Sequence, residues 1–149
     1  MTKAILFVCL GNICRSPSAE GVVRQMAQAQ GLDLRLDSAG TGDWHAGEPP
    51  YAPMQRAAAA RGFDLSQQRA RMVTPDDFDR FDLILAMDPD NLRHLQQMRP
   101  AQGGAQLRLF TDYAPHKGTD VVPDPYYTRD FDGTLDLIET CAKGLLAQL

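Results

Sequence analysis

The sequence predicts an α/β fold, one domain over residues 1–149 built on a parallel sheet, and three observations carry that prediction. Apolar runs of strand length alternate with apolar residues at helical spacing from one end of the chain to the other. Two of the runs, 4–8 and 83–86, are apolar without a break, as strands covered on both faces must be. The length, 149 residues, is that of a single domain able to bury a proper core.

The elements follow in order. Ala4 to Val8 reads as a central strand. From Pro17 onward a helix is expected, with Ala19, Val22, Val23, Met26 and Ala27 on one face and Gly31 as its stop. Leu32, Leu34 and Leu36 alternate with Asp33, Arg35 and Asp37, the pattern of a half-exposed edge strand. A Gly- and Pro-rich loop, 40–53, leads to an Ala-rich helix from Met54 to Arg61 closed by Gly62. Thr74-Pro75 opens a short helix, and 83–86 is the next strand. Asp88-Pro89 caps a helix running to about Met98. After the turn at Gln102-Gly103-Gly104, Leu107, Leu109 and Phe110 form a fourth strand. A second long loop spans 111–132, and a final helix carries Leu135, Ile138, Ala142, Leu145, Leu146 and Leu149 on one face. Ligands in open parallel sheets bind at the carboxyl ends of strands, where the strand order reverses.

The segment at the end of the first strand is the most chemically loaded: Cys9-Leu10-Gly11-Asn12-Ile13-Cys14-Arg15-Ser16-Pro17. A short loop from a strand into a helix points backbone N–H groups inward and ends at the positive pole of the helix, which makes an anion cradle. Arg15 adds an always-charged fork matched to phosphate oxygens. Cys9 lies beneath the cradle, where a field that holds a dianion also favours a thiolate. Gly11 and Asn12 suit left-handed backbone, Ser16 an N-cap and Pro17 the first helical position. Cysteine is often only a small buried hydrophobe, but here the surrounding residues match the cradle as well.

This loop resembles that of the low-molecular-weight protein tyrosine phosphatases, whose fingerprint is Cys-x-Gly-Asn-x-Cys-Arg-Ser-Pro. The resemblance extends along the chain through Asp37-Ser38-Ala39-Gly40-Thr41, Ala86-Met87-Asp88 with Asn91-Leu92, and Pro123-Asp124-Pro125-Tyr126-Tyr127. It implies a three-layer sandwich with sheet order 2-1-3-4 and helices on both faces. It also implies that Asp124 is the general acid, that Ser38 supports the loop through Asn12, and that the partner is a tyrosine-phosphorylated protein. In bacteria such a protein is often a tyrosine kinase.

The chemistry expected of these residues is specific. Cys9 attacks phosphorus in line, while Arg15 and the N–H groups of Leu10, Gly11, Asn12, Ile13, Cys14 and Arg15 hold the equatorial oxygens. The leaving phenol needs a positioned acid, and Asp124, stiffened between two prolines, meets that need. Its carboxylate then activates water against the phosphocysteine, and Ser16 assists departure of the thiolate. Trp44, Tyr126 and Tyr127 are expected to wall the mouth, although Trp44 also fits a core anchor and Pro123-Asp124-Pro125 a plain turn. Where relatives carry a histidine near the cradle, this chain has Gln68, which keeps a hydrogen bond but no charge. Asp88 is explained by capping; Asp88 and Asn91 are read as structural, and His45, His94 and His116 as surface residues.

The composition narrows the partners. A net charge of −4 without blocks of like charge argues against nucleic acid and membrane surfaces. No signal segment or transmembrane stretch is expected, and three cysteines do not form a disulfide framework, so a reducing cytoplasm is the expected compartment. No metal site and no cofactor are expected, and the oligomeric state is left open. Three rival readings share the fold or the cradle: a thioredoxin-coupled arsenate reductase, a protein arginine phosphatase, and an anion- or flavin-binding module. The first needs a relay of cysteines, for which only Cys14 and Cys141 remain. The last needs neither thiolate nor acid.

Overall fold

A computed structural model describes residues 2–149. Its strands β1 (Lys3–Cys9), β2 (Leu34–Gly40), β3 (Leu83–Ala86) and β4 (Gln106–Leu109) form one parallel sheet in the order β2-β1-β3-β4, as the family resemblance implied. The helices are α1 (Arg15–Ala29), α2 (Ala52–Ala60), α3 (Asp77–Arg80), α4 (Pro89–Met98), α5 (Pro125–Thr128) and α6 (Phe131–Ala147). Among the described residues no helix is long and apolar enough to cross a membrane.

The period-2 geometry of β1 divides the core. Ile5, Phe7 and Cys9 pack with Val22 and Val23 of α1 and with Leu135, Ile138 and Leu145 of α6. Ala4, Leu6 and Val8 pack on the opposite face with Phe78 of α3 and Leu95 of α4. Ile5, Leu6 and Phe7 have no exposed surface, and each contributes about 1.5–3 kcal/mol relative to remaining in water. β1 and β3 are thus covered on both faces, which accounts for their unbroken apolar runs.

The chain connects β1 to β2 on one side and β3 to β4 on the other, so the order reverses between β1 and β3. The segments leaving these two strands, 10–14 and 87–88, therefore diverge from a common crevice, the site of ligand binding in such sheets.

Several local expectations are corrected. β2 begins at Leu34, not Leu32, and α2 begins at Ala52, with Pro53 inside its first turn. Phe110 leaves the strand and starts a 3-10 turn, Phe110–Tyr113, which tucks its ring edge-on against Phe7 at 5.5 Å. The long loop 111–132 holds α5 and the first residues of α6. Leu149 lies beyond α6 and is exposed instead of completing its apolar face.

Candidate active site

The loop after β1 is held by a network centred on Asn12. This residue is buried and has φ +57°, the left-handed region, whereas Gly11 does not enter it. Asn12 Nδ2 donates to Ser16 Oγ at 2.7 Å and to Ser38 Oγ at 3.0 Å, and Oδ1 accepts from the Arg71 backbone N–H at 3.0 Å. The amide is fully used, so the loop's unusual backbone is fixed from behind. Arg71 is itself anchored by a fork onto the fully buried Asp77, both bonds 3.0 Å, and by Nε to Asp37. Gln68 keeps the hydrogen bonds expected of it: it accepts from Ser38 Oγ at 3.4 Å and donates to the Pro17 carbonyl at 2.9 Å. Gly40 leaves no room for a side chain, since a Cβ there would meet the Leu10 carbonyl oxygen at 2.8 Å.

Ser16 is not an N-cap. The helix begins two residues earlier than expected, at Arg15, after Cys14 in the cap position. Ser16 Oγ lies 3.0 Å from Cys9 Sγ and already accepts from Asn12 Nδ2. Oγ also lies 3.4 Å from the Ala39 carbonyl, to which it can donate. The Asn12 backbone N–H donates to Sγ at 3.3 Å. These two contacts hold the sulfur in place behind the loop.

Arg15 is 4% exposed. Its Nη1 donates to Asp88 Oδ2 at 2.7 Å and to the Val122 carbonyl at 3.2 Å, and Nη2 lies 3.6 Å from Asp124 Oδ2. Burial works against the guanidinium's charge, but Cys9, Asp88 and Asp124 outweigh it and hold the pKa above the ordinary arginine value. Asp88 thus does two things at once: Oδ1 caps α4 through the Asn91 N–H at 2.7 Å, and Oδ2 aims the arginine. Its reading as structural alone is corrected.

Asp124 caps α5. Oδ1 accepts from the Tyr126 N–H at 3.1 Å, and Pro125 takes the first helical position. The cap fixes one carboxylate oxygen and leaves the other facing Arg15. Cys9, Leu10, Gly11, Ile13, Cys14, Arg15, Trp44, His45, Asp124, Tyr126 and Tyr127 line a single cleft of about 320 Å³. Asn12 and Ser16 are not part of that lining, and their side chains bond to each other behind the loop. Trp44 is 69% exposed and lies over Gly42, so it is a wall and no core anchor. His45 is also part of the wall, with Nδ1 2.7 Å from Glu48 Oε2, which corrects its reading as an unrelated surface residue.

Burial, with the negative charges of Asp124 and Cys9, pushes the Cys14 thiol up to about 12. Cys14 therefore stays protonated at neutral pH. Cys9 and Cys14 line the same cleft, and a second thiol in one loop with an oxidised first is the arrangement that forms a reversible disulfide. Peroxide is expected to inactivate the protein reversibly, and Cys14→Ser to lose part of the recovery with dithiol. Equal recovery in both proteins would remove Cys14 from that role.

A cysteine under an arginine-bearing loop at a helix N-terminus, faced by a carboxylate, defines a cysteine-dependent phosphate-ester hydrolase. Residues 4–149 match the family described as low molecular weight phosphotyrosine protein phosphatase. The low molecular weight protein-tyrosine-phosphatase YfkJ of Bacillus subtilis is 40% identical over 148 residues, 98% of this chain and 95% of that protein. Its crystal structure superposes with a TM-score of 0.94, covering 99% of this chain and 94% of that one. A protein tyrosine phosphatase from Entamoeba histolytica superposes at 0.93 with 36% identity, covering 99% and 96%. An arginine phosphatase from Drosophila superposes at 0.91 with 30% identity, covering 97% and 96%. The chain belongs to the low molecular weight protein-tyrosine-phosphatase family, phosphoric monoester hydrolases that act through a cysteine.

Proposed function

We propose that this chain, acting as one domain, hydrolyses phosphotyrosine in proteins through a phosphocysteine on Cys9. The observation that carries the reading is the convergence of Cys9, Arg15 and Asp124 on one cleft walled by Trp44, Tyr126 and Tyr127. The Cys9 thiolate attacks phosphorus as the ester P–O bond breaks, and Arg15 with the loop N–H groups bears the equatorial charge. Phosphate binding supplies Arg15 with an anionic partner in place of Asp124. Asp124 gives its proton to the departing phenolate and then takes one from water, which attacks the phosphocysteine. The P–S bond breaks, inorganic phosphate leaves, and the thiolate returns to the hydrogen bond of Ser16.

Cys9 lines the cleft yet is only 2% exposed, which favours the long reach of phosphotyrosine over phosphoserine. The aromatic walls grip a flat ring. Ile13 lines the cleft with a branched apolar side chain that offers a guanidinium no hydrogen bond. Cys141 is fully buried in α6 and outside the cleft, so it supports no arsenate-reductase relay. The physiological substrate we propose is a tyrosine-phosphorylated protein such as a bacterial tyrosine kinase. The compartment we propose is the cytoplasm, in keeping with three free thiols.

The test is kcat/KM for phosphotyrosine, phosphoserine and phosphoarginine peptides on the native protein and on Ile13→Thr. Phosphotyrosine is expected to lead by a wide margin, and Ile13→Thr to raise the relative rate on phosphoarginine. A native preference for phosphoarginine would overturn the substrate while leaving the cysteine chemistry in place.

A further inference from the structure

Tyr51 has no part in the chemistry above, yet it touches both loops of the site. Its backbone N–H donates to the Ile13 carbonyl at 2.8 Å, on the phosphate loop. Its ring lies 5.2 Å from that of Tyr126, two residues beyond Asp124, and 6.2 Å from that of Phe131. Its hydroxyl accepts from Arg129 Nη1 at 2.9 Å. The Arg129 guanidinium sits 5.4 Å from the Tyr51 ring centre and 5.2 Å from that of Phe131. Among the described residues Arg129 forms no ion pair with a carboxylate, so its charge is committed to these rings.

The backbone agrees. Arg129 closes α5 at φ +64°, a conformation that non-glycine residues seldom adopt. The segment before Asp124 is secured elsewhere: Val122 by Arg15 Nη1 and by its own N–H to the Met87 carbonyl, and Pro123 by Thr134 Oγ. Beyond Asp124, the turn 124–129 bonds mainly within itself. The contacts of Tyr51 with Tyr126 and Arg129 join that turn to the loop bearing Cys9.

We propose that Tyr51 and Arg129 form a clamp that fixes the turn 124–129 against the phosphate loop and so sets the distance over which Asp124 delivers its proton. Both are positioning residues, and the proposal rests on Asp124 being the general acid. Proton transfer needs a heavy-atom approach of about 2.6–3.2 Å, and a misplacement of about 1 Å can cost 10²-fold. Releasing the turn therefore weakens acid catalysis selectively.

Arg129→Gly is the informative variant, because it removes the clamp while glycine accepts the left-handed backbone freely. Its melting temperature is expected to hold. kcat/KM is measured over aryl phosphates of graded leaving-group acidity. The expected loss is about tenfold for phenyl phosphate and less than about twofold for p-nitrophenyl phosphate. Tyr51→Phe, which keeps the ring and loses the hydroxyl, is expected to show a smaller loss of the same slope. In the Asp124→Asn background Arg129→Gly should add no further loss. A native-like slope, or a uniform loss across the series, in Arg129→Gly beside a steepened Asp124→Asn would overturn the clamp alone. Absence of steepening in Asp124→Asn itself would overturn the acid assignment and the clamp with it.

Discussion

Cys9→Ser is expected to bind inorganic phosphate and to turn over no aryl phosphate above background. Serine fits the volume, and the cradle of Arg15 and loop N–H groups is untouched. A serine hydroxyl, however, is intrinsically a far weaker acid and a poorer nucleophile than a thiol. Phosphate binding by titration calorimetry, beside a progress curve with p-nitrophenyl phosphate, checks both halves. Arg15→Lys belongs with it. An ammonium retains a charge for Asp88 but loses the planar fork that reaches Asp88, the Val122 carbonyl and substrate together, and turnover should fail although the fold persists. Near-normal turnover in Cys9→Ser would remove the nucleophile from the mechanism.

Asp124→Asn is expected to lower turnover of poor leaving groups by roughly 10²- to 10⁴-fold, the span of general acid catalysis. An asparagine oxygen still caps α5 by accepting from the Tyr126 N–H, so the loop keeps its shape while the transferable proton is lost. The penalty on the first chemical step should shrink as the leaving group becomes more acidic, because such a group departs without help. The second step should stay slow for every substrate, since the same carboxylate activates water. A loss independent of the leaving group in the first step would indicate a damaged loop and no acid.

Much of the site was legible because its central pieces lie within eight residues. The spacing of Cys9, Asn12, Arg15 and Ser16 after an apolar strand identifies the cradle without knowledge of the rest of the chain. Asp88 was half legible. Its capping of α4 is a local rule visible in Asp88-Pro89, and that rule hid the ion pair to Arg15, 73 positions away, which leaves no local trace. Ser16 shows the opposite failure. Local rules favour a cap there, but the sulfur and Asn12 claim its hydroxyl. Arg71 was missed because it supports Asn12 through its backbone, which carries no side-chain signal. Among the elements, β1 and β3 read clearly because both faces are buried. Phe110 extended the apparent strand because its partner is Phe7, not a strand neighbour.

The phosphoenzyme is the most direct measurement. Asp124→Asn mixed rapidly with p-nitrophenyl phosphate should release a burst of about one equivalent of nitrophenolate per protein, because formation of the intermediate outruns its hydrolysis. Mass spectrometry of the quenched protein should then find a single phosphoryl group on the peptide holding Cys9, and none in the Cys9→Ser, Asp124→Asn double variant. A burst with the phosphoryl group on any other residue, or steady turnover with no group on Cys9, would contradict covalent catalysis by this cysteine.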